Sequence, residues 1–247
     1  MGFEFWVRTS GTWVNVATVL GGTTLGLLLR GRLPGAMVGI ITQGVGLLTL
    51  FLGVTMAGRL TQAQVGIVDG VVLGLVTLVL GGLLGEWGQI EAGITGVGDR
   101  LRQRFKGGTG FTEGFVAASL LFCVGPMTLL GCLNNGLTGD SRLLLLKAAM
   151  DGLTAIALTS SFGVGVGFST LVILLYQGTL SLLAGTLAQY IPDPATSPTI
   201  LLITGVGGLM IIGIGINLLN LGKIRVASFL PALLLAPGFS WLARFTA

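Results

Sequence analysis

The 247-residue chain is 52% hydrophobic, contains 43 glycines, and carries only 13 Lys and Arg residues against 9 Asp and Glu residues. Its charged fraction of 9% is far below the roughly 25% of soluble domains, and its mean hydropathy of +0.94 is typical of a protein whose solvent is lipid. These values exclude a soluble enzyme, a disordered region, a nucleic-acid-binding protein and a secreted disulfide scaffold.

The first apolar stretch is interpreted as a retained helix, because no Ala-x-Ala cleavage pattern follows it. A membrane-spanning helix needs about 20 largely apolar residues. This criterion predicts an all-α polytopic bundle, with residues 1–247 forming one integral membrane domain. The predicted spans are residues 11–29, 36–57, 66–85, 114–132, 143–162, 165–190, 198–219 and 226–243. Pro231 and Pro237 interrupt the last segment, so seven spans plus a re-entrant or interfacial piece is the alternative.

Basic residues are unevenly divided between alternate loops. With eight spans, one side holds eight of the 13 Lys and Arg residues and the other holds five. Cytoplasmic loops are enriched in Lys and Arg, so the richer side is predicted to be cytoplasmic. It includes the longest polar stretch, at about residues 86–113, which we interpret as a solvated basic loop. An alternative role for the basic residues 100–106 is contact with anionic lipid headgroups or an acidic partner.

Internal similarity predicts that the bundle contains repeated helix pairs. Residues 41–48 resemble residues 203–210, and a weaker match relates residues 45–50 to 124–129. Asp69 and Asp151 are each followed by glycine and, eight positions after the aspartate, by threonine. Repeated membrane units are common in transporters, whose sites lie between the repeats near the bilayer midplane.

The chain has no histidine, which excludes His-based triads, imidazole metal sites and His proton relays. Cys123 and Cys132 are placed on one predicted helix, on roughly opposite faces, so we expect them to be unpaired and buried. The sequence therefore predicts no catalytic residues, no metal site and no cofactor.

Asp151 is the deepest carboxylate in the predicted spans, and Lys147 precedes it by one helical turn. The i, i+4 spacing allows the two side chains to pair on one helix face. Two interpretations follow: a neutralised ion pair that fixes helix packing, or a site for a cation or proton. Asp69 is predicted to cap the start of the third span, and its alternative role is coupling with Asp151.

Uncharged polar residues also lie within the predicted spans, among them Asn15, Gln177 and Asn217. Amides in lipid usually bond to another helix, and the alternative is that these three line a path for a solute. Asn135 is instead predicted to be a turn residue, with its neighbours Asn134 and Asp140.

Ser160 and Ser161 open a run in which glycines at positions 163, 165 and 167 permit a non-helical turn. Irregular backbone is tolerated at membrane depth only where protein or water covers it. The turn is therefore either a plain hairpin at the membrane surface or a broken-helix element that contacts a solute or ion.

A set of motifs extends over nearly the whole chain. They are Gly11-Thr12-Trp13-Val14-Asn15, Cys123-Val124-Gly125-Pro126-Met127, Gly136-Leu137-Thr138-Gly139-Asp140, Lys147 with Asp151-Gly152, Gly163-Val164-Gly165-Val166 with Leu174-Leu175-Tyr176-Gln177-Gly178, and Gly215-Ile216-Asn217-Leu218-Leu219 leading to Lys223-Ile224-Arg225-Val226 and Phe229-Leu230-Pro231-Ala232. Together they resemble DUF554, a bacterial family of multi-pass membrane proteins. The resemblance implies an integral protein of the cytoplasmic (inner) membrane, and the family often carries a transporter label. It implies no substrate and no site residues.

We expect a protein that moves a small solute or ion and is not an enzyme. Asp151, paired with Lys147, and less directly Asp69 are predicted to bind a coupling cation or proton, and Asn15, Gln177, Asn217 and residues 160–167 to line the path. The alternative is a non-transporting membrane subunit or scaffold that packs against a larger complex. The expected partners are the lipid bilayer, the unidentified solute or ion, and either a second copy of the chain or a larger membrane complex, with no nucleic acid.

Overall fold

The computed structural model describes residues 2–30, 34–123, 126–190 and 197–243, and nearly all of them are helical. This confirms the all-α prediction. The α-helices are α1 (Gly2–Arg8), α2 (Ser10–Arg30), α3 (Gly35–Ala57), α4 (Gly70–Trp87), α5 (Ile90–Arg104), α6 (Phe111–Cys123), α7 (Pro126–Thr138), α8 (Arg142–Phe162), α9 (Gly165–Tyr190), α10 (Pro198–Leu218) and α11 (Leu230–Ala243). The other described elements are two 3-10 helices, Gly58–Gln62 and Val226–Phe229, and an antiparallel pair of two-residue strands, β1 (Gln64–Val65) and β2 (Val68–Asp69).

Seven of the described helices are long and apolar enough to cross a membrane. They are α2, α3 extended by its 3-10 helix, α4, α8, α9, α10, and α11 preceded by its 3-10 helix. Each corresponds to a predicted segment. In lipid a spanning segment must satisfy its backbone hydrogen bonds within one helix, so a long apolar stretch predicts a helix of the same extent. Pro231 lies in the first turn of α11, where a missing N–H is tolerated, and Pro237 lies inside the helix.

The predicted segment 114–132 is not one straight helix. It is divided between α6 and α7, which are bent by 60° relative to each other. Helix α7 begins at Pro126, since proline disfavours helical geometry in the residue before it. The placement of both cysteines on one helix was therefore wrong: Cys123 ends α6 and Cys132 lies within α7. Both are nevertheless free and buried, as predicted.

The chain forms two compact units. Unit 1 consists of Met1–Val45 and Thr95–Pro192, and unit 2 of Gly46–Ile94 and Asp193–Ala247. In unit 2, α4 packs against α11, and the buried core includes Leu60, Leu202, Val206 and Ala232. Asp69 and Asp151, the aspartates matched in the predicted repeat, belong to different units, and the repeat itself stays a prediction.

In unit 1, α2 and α8 run parallel. Gly11 packs against Leu144 near the start of both helices, and Gly26 packs against Thr159 near the end of both. Two spans that point the same way must be separated by an odd number of membrane crossings. Helices α3 and α4 are two candidate crossings, and the bent pair α6–α7 is counted as the third. On this count the described residues contain eight candidate membrane crossings, the upper number that length and composition allow.

A helix occupies the middle of the predicted basic loop 86–113. Gln89 has a φ of +50° and separates α4 from α5, which continues to Arg104. The polar composition of this segment predicts a loop. Its apolar residues nevertheless recur at helical spacing, which was the available signal for α5.

Candidate functional site

Glycines let α2 and α8 approach until their backbones touch. A Cβ atom on Gly22 would overlap the carbonyl oxygen of Gly152, and one on Gly26 would lie 2.6 Å from the carbonyl oxygen of Ile156. Small residues at membrane-helix interfaces permit this close packing. It brings the polar side chains of the two helices within hydrogen-bonding distance.

Three polar side chains meet between α2 and α8, and we call them the Asp151 cluster: Asn15, Lys147 and Asp151. The Lys147 ammonium forms an ion pair with Asp151 Oδ2, as the i, i+4 spacing predicted. Asn15 donates a hydrogen bond from Nδ2 to the same oxygen at 2.9 Å. The exposed fractions of Asn15, Lys147 and Asp151 are 0%, 6% and 7%, so all three are buried.

The Asp151 cluster lies near the middle of the candidate membrane span α8. Asp151 precedes the end of α8 at Phe162 by about 17 Å, at 1.5 Å per residue. Half of a hydrocarbon core is about 15 Å thick. A span centred on the bilayer places this carboxylate near the midplane, the depth at which ionisable groups are most costly.

Gln177 lies at a similar depth on α9, about 18 Å from the helix start at Gly165. Its side chain is fully buried, and neither amide atom has a hydrogen-bond partner among the described residues. The Oδ1 atom of Asn15 also lacks a partner there. A buried unpaired polar group costs about 1–3 kcal/mol, so a water, ion or solute that bonded these atoms would be stabilised.

Residues that the sequence analysis did not connect with the site adjoin the Asp151 cluster. Cys123 lies close to Lys147 and Asp151, and Tyr176 of α9 lies close to both cysteines. In the sequence, Pro126 was the available signal for this arrangement. A helix break at Pro126 means that the two cysteines do not share one helix, so helical spacing cannot place them on opposite faces. In the described part of the chain, no three Cys, Asp or Glu side chains are grouped as metal ligands.

Ser160 and Ser161 are not brought to the Asp151 cluster. Both lie in the last turn of α8, where their hydroxyls donate to the carbonyl oxygen of Ala157. The following turn contains Gly163 with a φ of +83°, a conformation that favours glycine. It joins the ends of two membrane spans. Because α8 and α9 are separate candidate spans, this geometry favours the hairpin interpretation of residues 160–167, and its place at the membrane surface stays a prediction.

Asp69 and Asn217 lie in unit 2 and have local partners. Exposed Asp69 accepts a hydrogen bond from the N–H of Val71 at 2.7 Å and so caps α4, as predicted. Asn217 donates to the carbonyl oxygen of Ile224 and accepts from its N–H, both at 2.7 Å. Its amide closes the loop after α10, whereas the sequence predicted a bond to another helix or a place on a path.

Asn135 is not a turn residue, in contrast to the prediction. It is buried in α7, accepts from the N–H of Gly11 at 3.1 Å and donates to Val7 O at 3.0 Å and Ser10 Oγ at 3.1 Å. The first amides of a helix have no partner within it. Asn135 therefore fixes the start of α2, the helix that carries Asn15.

The sequence is similar to a known protein family and to full-length bacterial relatives. The model of the family described as "Protein of unknown function (DUF554)" matches residues 10–241. The "Uncharacterized membrane protein YdfK" of Bacillus subtilis is 30% identical over 92% of this chain and 93% of its own length. The "Uncharacterized protein YqgA" of Escherichia coli is 30% identical over 95% of this chain and 98% of its own. No solved structure matches the chain. A family match over almost the whole bundle, with two full-length relatives, establishes that this membrane protein belongs to the DUF554 family.

Proposed function

We propose that this protein moves a small solute or ion across the cytoplasmic membrane of a bacterium, and that Asp151 binds the coupling proton or cation. The observation that supports the proposal is the buried Asp151 cluster in the middle of the candidate span α8. Multi-pass architecture alone would fit a scaffold equally well, so the argument depends on the chemistry of this cluster.

Charges at this depth are difficult to explain by packing. An Asp or Lys at the centre of a membrane helix costs about 2.5–3.5 kcal/mol on insertion scales. A buried ion pair can often be replaced by apolar side chains of similar volume without loss of stability. Packing between α2 and α8 therefore does not require Lys147 and Asp151, and their presence favours a role in moving protons or ions.

Lys147 acts as an internal cation in this proposal. While its ammonium is paired with Asp151, the cluster has no net charge. A proton or cation that binds Asp151 displaces the ammonium, which then needs another anionic or polar partner. The cluster thus has two states with different charge partners, and a ligand couples to such an equilibrium when it binds the two states differently.

The unpaired amide atoms support a polar path at the depth of the cluster. Gln177 offers a donor and an acceptor, and Asn15 offers its free Oδ1. These groups lie at the depth of Asp151 and could replace part of the hydration shell of a passing solute. Local hydrogen bonds engage Ser160, Asp69 and Asn217, so we leave them out of this path. Ser161 is left out as well, because its hydroxyl bonds to Ala157 in its own helix and to Thr42 of α3.

Ion flux in proteoliposomes tests the proposal. The purified full chain is reconstituted with a pH-sensitive dye inside, and a Na⁺ or K⁺ gradient is imposed. We expect the gradient to drive a change in internal pH, and Asp151→Asn to slow this change at least tenfold. Asp140→Asn is the matched control, because Asp140 is exposed at the start of α8. Equal rates for wild type and Asp151→Asn would exclude the role given to Asp151.

The membrane-subunit alternative would be favoured by two observations together. The wild-type protein would produce no pH change with either ion, and it would keep a second protein bound in mild detergent. The purification that precedes reconstitution provides this second observation.

A further inference from the structure

Helix α5 connects two membrane-crossing parts of the chain, α4 and the α6–α7 pair. With two acidic and three basic residues among 15, α5 is too polar to enter the hydrocarbon itself. A segment of this kind between two crossings lies at the membrane surface.

One side of α5 is apolar. Ile90, Ile94, Val97, Leu101 and Phe105 follow one another at intervals of four, three, four and four positions, which confines them to about 80° of the helix circumference. The Phe105 N–H still bonds to the carbonyl oxygen of Leu101, so the helical spacing extends to Phe105. Val97 is 48% exposed and Phe105 is 54% exposed. The described residues of the protein therefore leave this apolar stripe partly uncovered.

Charged residues on α5 are sorted by sign. The two acidic residues bond to the protein: Glu91 accepts from the N–H of Ala227 at 2.7 Å, and Asp99 accepts from the hydroxyl of Thr112 at 2.7 Å. Arg100 and Arg104, one turn apart beside the apolar stripe, are exposed and form no salt bridge in the part of the chain that the structure describes. The outward-facing side of α5 is thus apolar and cationic.

We propose that α5 lies in the membrane interface, with its apolar stripe in the bilayer, and that Arg100 and Arg104 bind the phosphate groups of anionic phospholipids. An apolar stripe beside cationic side chains is the pattern of helices that lie in the plane of a membrane surface. Guanidinium groups match phosphate geometry through paired N–H donors. The bilayer is the partner of this surface, because α5 is joined at both ends to membrane-spanning segments that hold it at the membrane.

Lipid titration of the detergent-solubilised full chain tests this inference, which does not depend on transport. Thermal unfolding is followed while phosphatidylglycerol or phosphatidylcholine is added at about 50 mM NaCl, where charge effects are weakly screened. We expect phosphatidylglycerol to raise the midpoint more than phosphatidylcholine does. Arg100→Gln/Arg104→Gln is expected to lose at least half of this difference. Arg59→Gln/Arg142→Gln, which removes two exposed charges elsewhere, is expected to keep it.

Two results would overturn the proposal. One is a full phosphatidylglycerol response in the Arg100→Gln/Arg104→Gln variant. The other is an equal rise with soluble glycerol 3-phosphate, because that would show a site for a free phosphate group and no need for a lipid.

A depth measurement tests the apolar stripe separately. Spin labels are attached at Val97→Cys and, on the opposite side of α5, at Gln103→Cys, in protein reconstituted into phosphatidylglycerol-containing vesicles. The label at position 97 should be relaxed mainly by oxygen, which concentrates in lipid, and the label at 103 mainly by a water-soluble nickel complex. Equal water accessibility at both positions would show that the stripe does not face the bilayer.

Discussion

Gly22 of α2 lies directly against the carbonyl oxygen of Gly152 in α8, and this backbone contact sets how far Asn15 is from Asp151. A Cβ atom at Gly22 would push the two helices apart, two turns from the hydrogen bond between Asn15 and Asp151. Helix packing and the chemistry of the site are therefore linked through one glycine.

Gly22→Ala should destabilise the protein, because the added methyl group collides with a backbone atom that cannot rotate away. We expect a cost of about 1–3 kcal/mol, typical of overpacking in a close interface. Gly21→Ala is the matched control: a Cβ there meets nothing within 4 Å. Thermal unfolding in detergent should show a lower midpoint for Gly22→Ala and an unchanged or slightly higher one for Gly21→Ala. Equal effects would indicate that the α2–α8 contact is looser than described.

Removing one member of the Lys147–Asp151 pair should destabilise the protein more than removing both charges. Lys147→Met or Asp151→Asn alone leaves an uncompensated buried group, at a cost of about 3–5 kcal/mol. The double variant Lys147→Met/Asp151→Asn should recover part of this loss. A double-mutant cycle of unfolding free energies measures the coupling, and strictly additive single effects would argue against a buried pair.

Asp69→Asn should leave the protein nearly unchanged, because asparagine caps a helix about as well as aspartate does. Asp69→Ala should lose the bond to the Val71 N–H and cost about 0.5–2 kcal/mol. Unfolding and flux are measured on both variants. A stable Asp69→Asn protein that had lost ion flux would assign Asp69 a coupling role beyond the cap seen here.

Cys123 and Cys132 should be inaccessible to a membrane-permeant maleimide while the protein is folded. Both thiols are free and buried. Mass spectrometry of the native protein should therefore show almost no labelling, and the unfolded protein in hot dodecyl sulfate should gain two adducts. Val97→Cys provides the positive control, since this position is half exposed. Rapid native labelling of either cysteine would reveal a path from the surface toward Asp151.

The membrane spans could be predicted well, because a helix in lipid must be long enough to cross the hydrocarbon and apolar along that length. Seven described helices coincide with predicted segments, and the Lys147–Asp151 pair follows from helical spacing alone. The same criterion missed α5, whose composition is polar although its apolar positions are periodic. It also treated residues 114–132 as continuous, because mean hydropathy does not register the break at Pro126.

Tertiary partners were the part that the sequence could not specify. Asn15, Asn135 and Asn217 are all amides near helix ends or interfaces, yet one bonds a carboxylate, one fixes a helix start and one closes a loop. Their residue type is the same, so only the approach of other chain segments distinguishes their roles. For Gln177, the sequence predicted burial within a span. It could not predict that the two amide atoms lack a hydrogen-bond partner among the described residues, because that depends on what α9 packs against.

Both units are assembled from two separate stretches of chain, which determines the order in which they can form during synthesis. Unit 1 can fold once the ribosome has passed residue 192. In unit 2, α4 cannot complete its packing until α11 has been synthesised, because Gly81 packs against α11 and Gly85 against the 3-10 helix that precedes it. At about 5–20 residues per second, the roughly 140 intervening residues delay that contact by about 7–28 s. During this interval the glycine face of α4 lacks the partner that covers it in the folded protein. A chain truncated before residue 226 should therefore retain a folded unit 1. Its unit 2 should stay incompletely packed and be cleaved by membrane proteases.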